Sequence, residues 1–340
     1  MPHCSIIKMI IFFTCPFFMW TNNALQAAKH MHKVSIEEKP IVVVIPSYNS
    51  DRWCRSTLNS VFSQKYKNYR VIFIDDASND HTLDCALSFL RSHNIPHTVL
   101  HFDDTGLDLK SASTLFTKKI GRQHNQKCLI IHNKNRRCSL TNLYRAIYSC
   151  PDEKAIIIFL DGDDWLHGNQ VFSQINEVYS HHDVWLTHGS HITSQSKKHP
   201  GSRQFPDECI EQNAFRKFWL PSHLRTFYVA LFKKIKLEDL TMPTNVLKDM
   251  IETTCPSYSF MFAQNFPDNK QFVPVSGDMA IMFPMIEMAG ERHHFFSKIN
   301  YVYNVSNDIS DYKIAPTFQY QLGELILKKP PYKRLPFLFK

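Results

Sequence analysis

Ala155-Ile156-Ile157-Ile158-Phe159-Leu160-Asp161-Gly162-Asp163-Asp164-Trp165 carries the most decisive pattern in the chain. A short, unbroken apolar run closed by a turn signal reads as a strand buried on both faces. It empties into three carboxylates within four positions, which repel one another unless a cation compensates them. Asp161 and Asp163 lie two apart and can present their side chains to the same side of an extended end. Gly162 between them lets the backbone come close to a ligand. Mg²⁺ and Mn²⁺ are hard ions that bind a few carboxylate oxygens together with substrate phosphates. The run therefore predicts a metal and phosphate site at a strand end, with an acidic turn of no further role as the plain alternative.

Upstream, the same grammar repeats. Ile41 to Ile45 is a β-branched strand ended by Pro46, and Tyr69 to Ile74 is a second strand that stops at Asp75-Asp76. Ser50 or Asp51 can cap a helix that buries Trp53, Leu58, Val61 and Phe62, and Asp80 can cap another carrying Leu83, Leu87 and Leu90. His97 to Phe102 and Cys128 to His132 read as strands, and Leu140 to Tyr148 as a helix, whereas 103–127 is weakly periodic and reads as an insertion or loop. Alternation of this kind predicts an α/β fold with a mostly parallel sheet covered by helices, whose ligand sits beyond the carboxyl ends of the strands. Downstream, residues 214–220 and 226–234 read as helices, and Asp278 to Ala289 as a helix kinked at Pro284. A linker at 194–201 separates a donor-binding half, 39–193, from an acceptor-binding half, 202–310, of one domain, and 311–340 reads as a basic tail.

The 340 residues are 44% apolar, enough for a substantial core. The formal charge of +8 is spread along the chain without a basic block interleaved with aromatics, so no nucleic acid is expected as a partner. Nine scattered cysteines with no Cys-x-x-Cys pair argue against a zinc site or a disulfide scaffold. The apolar run Met9 to Trp20, followed by Ala24-Leu25-Gln26-Ala27-Ala28, reads as a signal peptide or signal anchor over 1–30. It implies a secretory-pathway protein or membrane association through the N-terminus; without it the protein would be cytoplasmic. In a secretory protein Asn304-Val305-Ser306 would be a glycan acceptor.

Three motifs stand in order: Val43-Val44-Ile45-Pro46-Ser47-Tyr48-Asn49, Asp75-Asp76-Ala77-Ser78-Asn79-Asp80, and Leu160-Asp161-Gly162-Asp163-Asp164-Trp165-Leu166. With them the chain resembles the family 2 inverting glycosyltransferases of the GT-A fold, over roughly 39–305. The resemblance implies that Pro46, Ser47, Asp75 and Asp76 contact the nucleoside of a nucleoside-diphosphate sugar. It implies that Asp161 and Asp163 serve ribose, diphosphate and a divalent metal, Mn²⁺ or Mg²⁺. Asn142 looks like the family's nucleotide-proximal Asn, although Cys138 stands near the place where a small residue, often Gly, is usual. The family's base, an acidic residue at a helix start, falls on Asp278, whose other reading is a plain N-cap. Arg225 and His223 could hold the departing diphosphate.

The expected function is metal-dependent transfer of a sugar, with inversion, to an acceptor hydroxyl on a glycan, lipid or protein. An inactive nucleotide-sugar-binding module is the alternative from another class. A phosphatase using Asp161 fits less well, because Asp164-Trp165 follows and about 120 residues of α/β structure precede.

Overall fold

The computed structural model describes residues 36–121, 126–196, 202–262 and 269–339, and a compact unit begins at Glu38. The expected signal segment and residues 197–201 of the expected linker lie outside the described residues.

The apolar runs form the centre of an eight-stranded sheet. Its strands are β1 (Ile41–Ser47), β2 (Tyr69–Asp75), β3 (His97–Phe102), β4 (Cys128–Asn133), β5 (Ile156–Phe159), β7 (Leu186–Gly189), β9 (Ser222–Tyr228) and β12 (His293–Phe295), in spatial order β12-β7-β9-β5-β1-β2-β4-β3. All neighbours are parallel except β9, which runs antiparallel to both β5 and β7. Val43, Val44, Ile45, Ile72, Phe73 and Ile156 to Ile158 have no exposed surface, as strands covered on both faces require. A small three-stranded sheet, β6 (Trp165–Leu166), β13 (Tyr301–Tyr303) and β8 (His191–Thr193), lies just past the acidic run, and β10 (Thr241–Pro243) pairs with β11 (Lys270–Phe272).

The longer helices are α1 (Asp51–Phe62), α2 (Thr82–Ser92), α3 (Leu109–Gly121), α4 (Cys138–Tyr148), α5 (Val171–His181), α6 (Thr244–Thr254), α7 (Gly277–Ala289) and α8 (Pro316–Leu327). Neither Ser50 nor Asp51 caps α1 with its side chain. Asp80 does: its Oδ2 accepts from Asp51 N at 3.1 Å while its Oδ1 accepts from Thr82 N at 2.9 Å, so one carboxylate serves the starts of α1 and α2. α7 runs through Pro284 and is buried on every side from Ala280 to Ala289, which makes it the central helix of the second half.

Several elements differ from the sequence expectation. The stretch 103–127 holds α3, which buries only the stripe Ala112, Phe116 and Ile120, too narrow to stand out among polar neighbours. Residues 226–234 are not one helix: Thr226 to Tyr228 complete β9, and only Val229–Phe232 make a helical turn. There Thr226, Phe227 and Tyr228 follow their strand preference, and the buried Thr226 hydroxyl is satisfied by Tyr179 at 2.9 Å and Thr187 at 2.6 Å. In 214–220 only Phe215–Lys217 is helical, as one 3₁₀ turn. The residues read as a basic tail contain α8, which buries Phe318, Leu322 and Ile326 on one stripe. Among the described residues seven cysteines are free thiols, and no helix is long and apolar enough to cross a membrane. Asn304 is 1% exposed, so the expected glycan acceptor is closed to modification in the folded protein.

Candidate active site

β1 and β5 are neighbours in the sheet, so their polar ends emerge side by side. A cleft of about 280 Å³ opens there, near the lower end of the roughly 300–1,000 Å³ usual for small-molecule pockets. Pro46, Ser47, Asp76, Asp161, Asp163, Arg225 and Asp278 all line it. Asp75 and Asn142 do not.

The turn after β5 is locked to the turn after β1. Gly162 N donates to Pro46 O at 3.1 Å, and Gly162 O accepts from the Thr57 hydroxyl at 3.1 Å. A Cβ on Gly162 would lie 2.4 Å from Ser47 Oγ and 2.8 Å from Ser47 Cα. The glycine is needed for this approach to Ser47.

The three aspartates have separate surroundings. Asp164 is an internal tie: its Oδ2 accepts from the Tyr301 hydroxyl and its Oδ1 from Asn304 N, each at 2.6 Å. Asp163 accepts from Asn307 Nδ2 at 2.7 Å. The Asp161 carboxylate accepts no hydrogen bond among the described residues. Burial and the neighbouring Asp163 push Asp161 up to about 7, with Arg225 opposing, while burial raises Asp163 and Asp164 as well. A cluster so short of positive charge fits a divalent cation. Single ligand atoms of Asp161, Asp164 and His223 all lie within 4.8 Å of one another, a further set able to grip an ion. His223 stacks on Tyr301 at 4.4 Å, and burial, with Arg225 and His191 nearby, holds it well below the usual histidine range, so its imidazole is neutral and free to donate a lone pair.

β9 and α7 supply the opposite charge and a further carboxylate. Arg225, 4% exposed, donates from Nε to Pro221 O at 3.1 Å and from Nη2 to Asp278 Oδ2 at 2.9 Å. Asp278 sits in the first turn of α7, where Ser276 occupies the N-cap position, so Asp278 is not the cap. Its Oδ1 accepts from Met279 N at 2.9 Å.

Asp76 anchors the loop between β4 and α4. Its oxygens accept from Arg137 N at 2.9 and 3.0 Å, Cys138 N at 2.8 Å and Asn133 Nδ2 at 2.9 Å. Asn133 also donates to Asn142 Oδ1 at 2.8 Å, which joins Asn142 to the Asp76 cluster. Asp75 has no exposed surface and bonds His132 Nδ1 at 2.7 Å. Cys138 takes the left-handed conformation, φ 64°, that a glycine would adopt without strain. The departure in sequence is thus absorbed by the backbone.

Sequence reading missed Arg136, which lines the cleft with its guanidinium 3.8 Å from the Tyr48 ring and 4.4 Å from that of Phe260. The Arg136-Arg137 pair just past β4 was its one signal. It also missed Asn307 and Asp311, contributed by the segment after β13.

With this geometry in place, comparison with known proteins is direct. The family description "Glycosyl transferase family 2" matches residues 42–107, which hold β1, α1, β2, α2 and β3. Over that stretch the chain is similar to glycosyltransferase family 2. An uncharacterized glycosyltransferase of Rickettsia conorii is 37% identical over 58 residues, 17% of this chain and 10% of that protein. Glycosyltransferase GlyA of Streptococcus pneumoniae is 28% identical over 72 residues, 21% of this chain and 10% of that one. The chain thus aligns with about a tenth of the length of those relatives. TarS of S. aureus superposes with a TM-score of 0.50 at 14% identity, over 84% of this chain and 39% of TarS. A 1–349 form of TarS gives 0.50 at 15% identity, over 84% and 64%. At such identity these matches establish the shared fold, GT-A.

Proposed function

We propose that this chain transfers a sugar from a nucleoside-diphosphate sugar to an acceptor hydroxyl, with inversion and with a divalent cation. One observation carries the reading: the carboxylates at the end of β5, Arg225 of β9 and Asp278 of α7 face a single cleft beside the β1 and β2 turns. Mn²⁺ or Mg²⁺, held by Asp161 with Asp163 and within reach of Asp164 and His223, would neutralise charge on the departing diphosphate.

The protein groups supply the rest. Ser47, whose buried hydroxyl has no partner among the described residues, Pro46 and Asp76 line the cleft and would contact the nucleoside. Arg225, which donates to Asp278, would hold phosphate oxygens. Asp278 keeps carboxylate lone pairs beyond those used by Arg225 and Met279, and these can take the proton from the acceptor hydroxyl as it attacks the anomeric carbon. The C–O bond to the diphosphate breaks on the opposite face, so configuration inverts.

A panel of nucleotide sugars, screened by thermal shift with Mn²⁺ and then for diphosphate release, tests the reading. Binding with release supports it; binding without release leaves a nucleotide-sugar-binding module; neither result with any donor removes it.

A further inference from the structure

The turns after β1 and β2 are stitched together by hydrogen bonds, and a pair of thiols continues the seam into the helices that follow. Asn49 N donates to Ser78 Oγ at 3.0 Å, Asn79 N to Asn49 Oδ1 at 2.8 Å and Ser50 N to Thr82 Oγ1 at 2.7 Å. Early in α1, Cys54 has no exposed surface and turns its Sγ to Thr82 O at 3.8 Å. Thr82 opens α2, and Cys85 follows it on the same face, one helical turn on. α1 and α2 pack directly against each other, and the two thiols meet there as side-chain hydrogen-bond partners.

Their surroundings differ in a way that orders their chemistry. Among the seven free cysteines of the described residues, Cys85 alone is half-buried and the others are buried, so a dissolved reagent reaches Cys85 first. Burial, with Cys85, Asp75 and Asp80 adding to it, pushes the Cys54 thiol up, so Cys54 stays protonated until a partner takes its proton.

We propose that Cys54 and Cys85 form a reversible disulfide, a redox staple between α1 and α2, with a peroxide as the oxidant. The Cys85 sulfur attacks a peroxide oxygen: the S–O bond of a sulfenic acid forms, the O–O bond breaks, and the leaving hydroxide carries off the thiol proton as water. The Cys54 sulfur then attacks the Cys85 sulfur. The S–S bond forms, the S–O bond breaks, and the departing hydroxide takes the Cys54 proton. Both thiols are thereby oxidised to one disulfide, the peroxide is reduced to water, and a dithiol reverses the change. The bridge encloses β2 and the turn that bears Asp76, and it limits how far the unfolded chain can spread. It does so whatever the cleft binds.

The test treats the full chain with hydrogen peroxide, alkylates the remaining thiols and maps peptides by mass spectrometry without reduction. The expected product is a linked peptide pair joining Cys54 to Cys85. The melting temperature should rise by at least about 3 °C and return on adding dithiothreitol. Cys54→Ala and Cys85→Ala should show neither link nor rise, and Cys54→Ala should leave a Cys85 sulfenic acid that dimedone labels. Cys85→Ala alters a half-buried position, so it still decides the matter where the core substitution at Cys54 fails to fold. Linkage of either cysteine to a different partner, no link at all, or an equal rise in Cys85→Ala would each overturn the proposal.

Discussion

On one side of the cleft the polar groups hang from the ends of the parallel strands β1, β2 and β5; on the other they come from antiparallel β9, the first turn of α7 and the segment after β13. The first side is set by backbone pairing, because strands in register deliver their ends to one place. On the second, Arg225 is placed by the pairing of β9 with β5, and side-chain bonds that span long stretches of sequence bring in the rest: Arg225 to Asp278, Asn307 to Asp163, and Tyr301 to Asp164. The sheet thus fixes where the strand-end carboxylates lie, while α7 and the segment after β13 are tied to them by single side-chain contacts that can be cut one at a time.

The largest effect is expected on the strand-end side. Asp161→Ala or Asp163→Ala should lower donor turnover by roughly a thousandfold or more, on the scale of a lost electrostatic stabiliser, with the melting transition still cooperative. Wild-type diphosphate release by both variants would break the assignment. On the other side, Asp278→Asn should cost about 10²–10⁴ in transfer rate, the range for a general base. An unchanged rate would leave Asp278 as a partner of Arg225 only.

Stability tests sharpen the comparison further. Gly162→Ala forces a Cβ onto Ser47 and should destabilise by about 1–3 kcal/mol in chemical denaturation, with partial recovery in Gly162→Ala/Ser47→Gly. The Asp161 carboxyl titrates near 7 in the folded, metal-free protein against 3.8 for an ordinary aspartate, so between those values the folded state holds more protons than the unfolded one. Its contribution to stability therefore falls as pH rises through that window. Mn²⁺ competes with those protons, and its gain in melting temperature should be larger at pH 8 than at pH 5.5; an equal gain would place the ion elsewhere. The smallest effect is at Cys138. Because φ is positive there, Cys138→Gly should be more stable than Cys138→Ala by about 1 kcal/mol, the reverse of the order inside a helix.

The same division governs what could be read from the sequence. Ile41 to Ile45 and Ile156 to Leu160 are unbroken apolar runs, and such runs announce both the strand and its end. β9 defeats that rule, since Ser222-His223-Leu224-Arg225-Thr226 interleaves polar residues that are buried because partners far along the chain satisfy them. Asp278 was legible as an acidic residue at a helix start, but its bond to Arg225 was not, because no periodicity links positions 53 apart. Asp75 and Asp76 look equivalent in sequence, and strand alternation separates them: one turns toward His132, the other toward the cleft. Asn307 and Asp311 carried no signal, for their segment has neither strand nor helix pattern before the short turn Asp311–Ile314.

The contact between Gly162 and Ser47 has a mechanical consequence. Two backbone turns bonded at 3.1 Å, with no room for a methyl group between them, move as a single body. That part of the lining is accordingly stiff, and any widening that admits or releases a bulky ligand falls to other lining residues such as Tyr303, Asn307 and Asp311, whose segment is held by side-chain bonds.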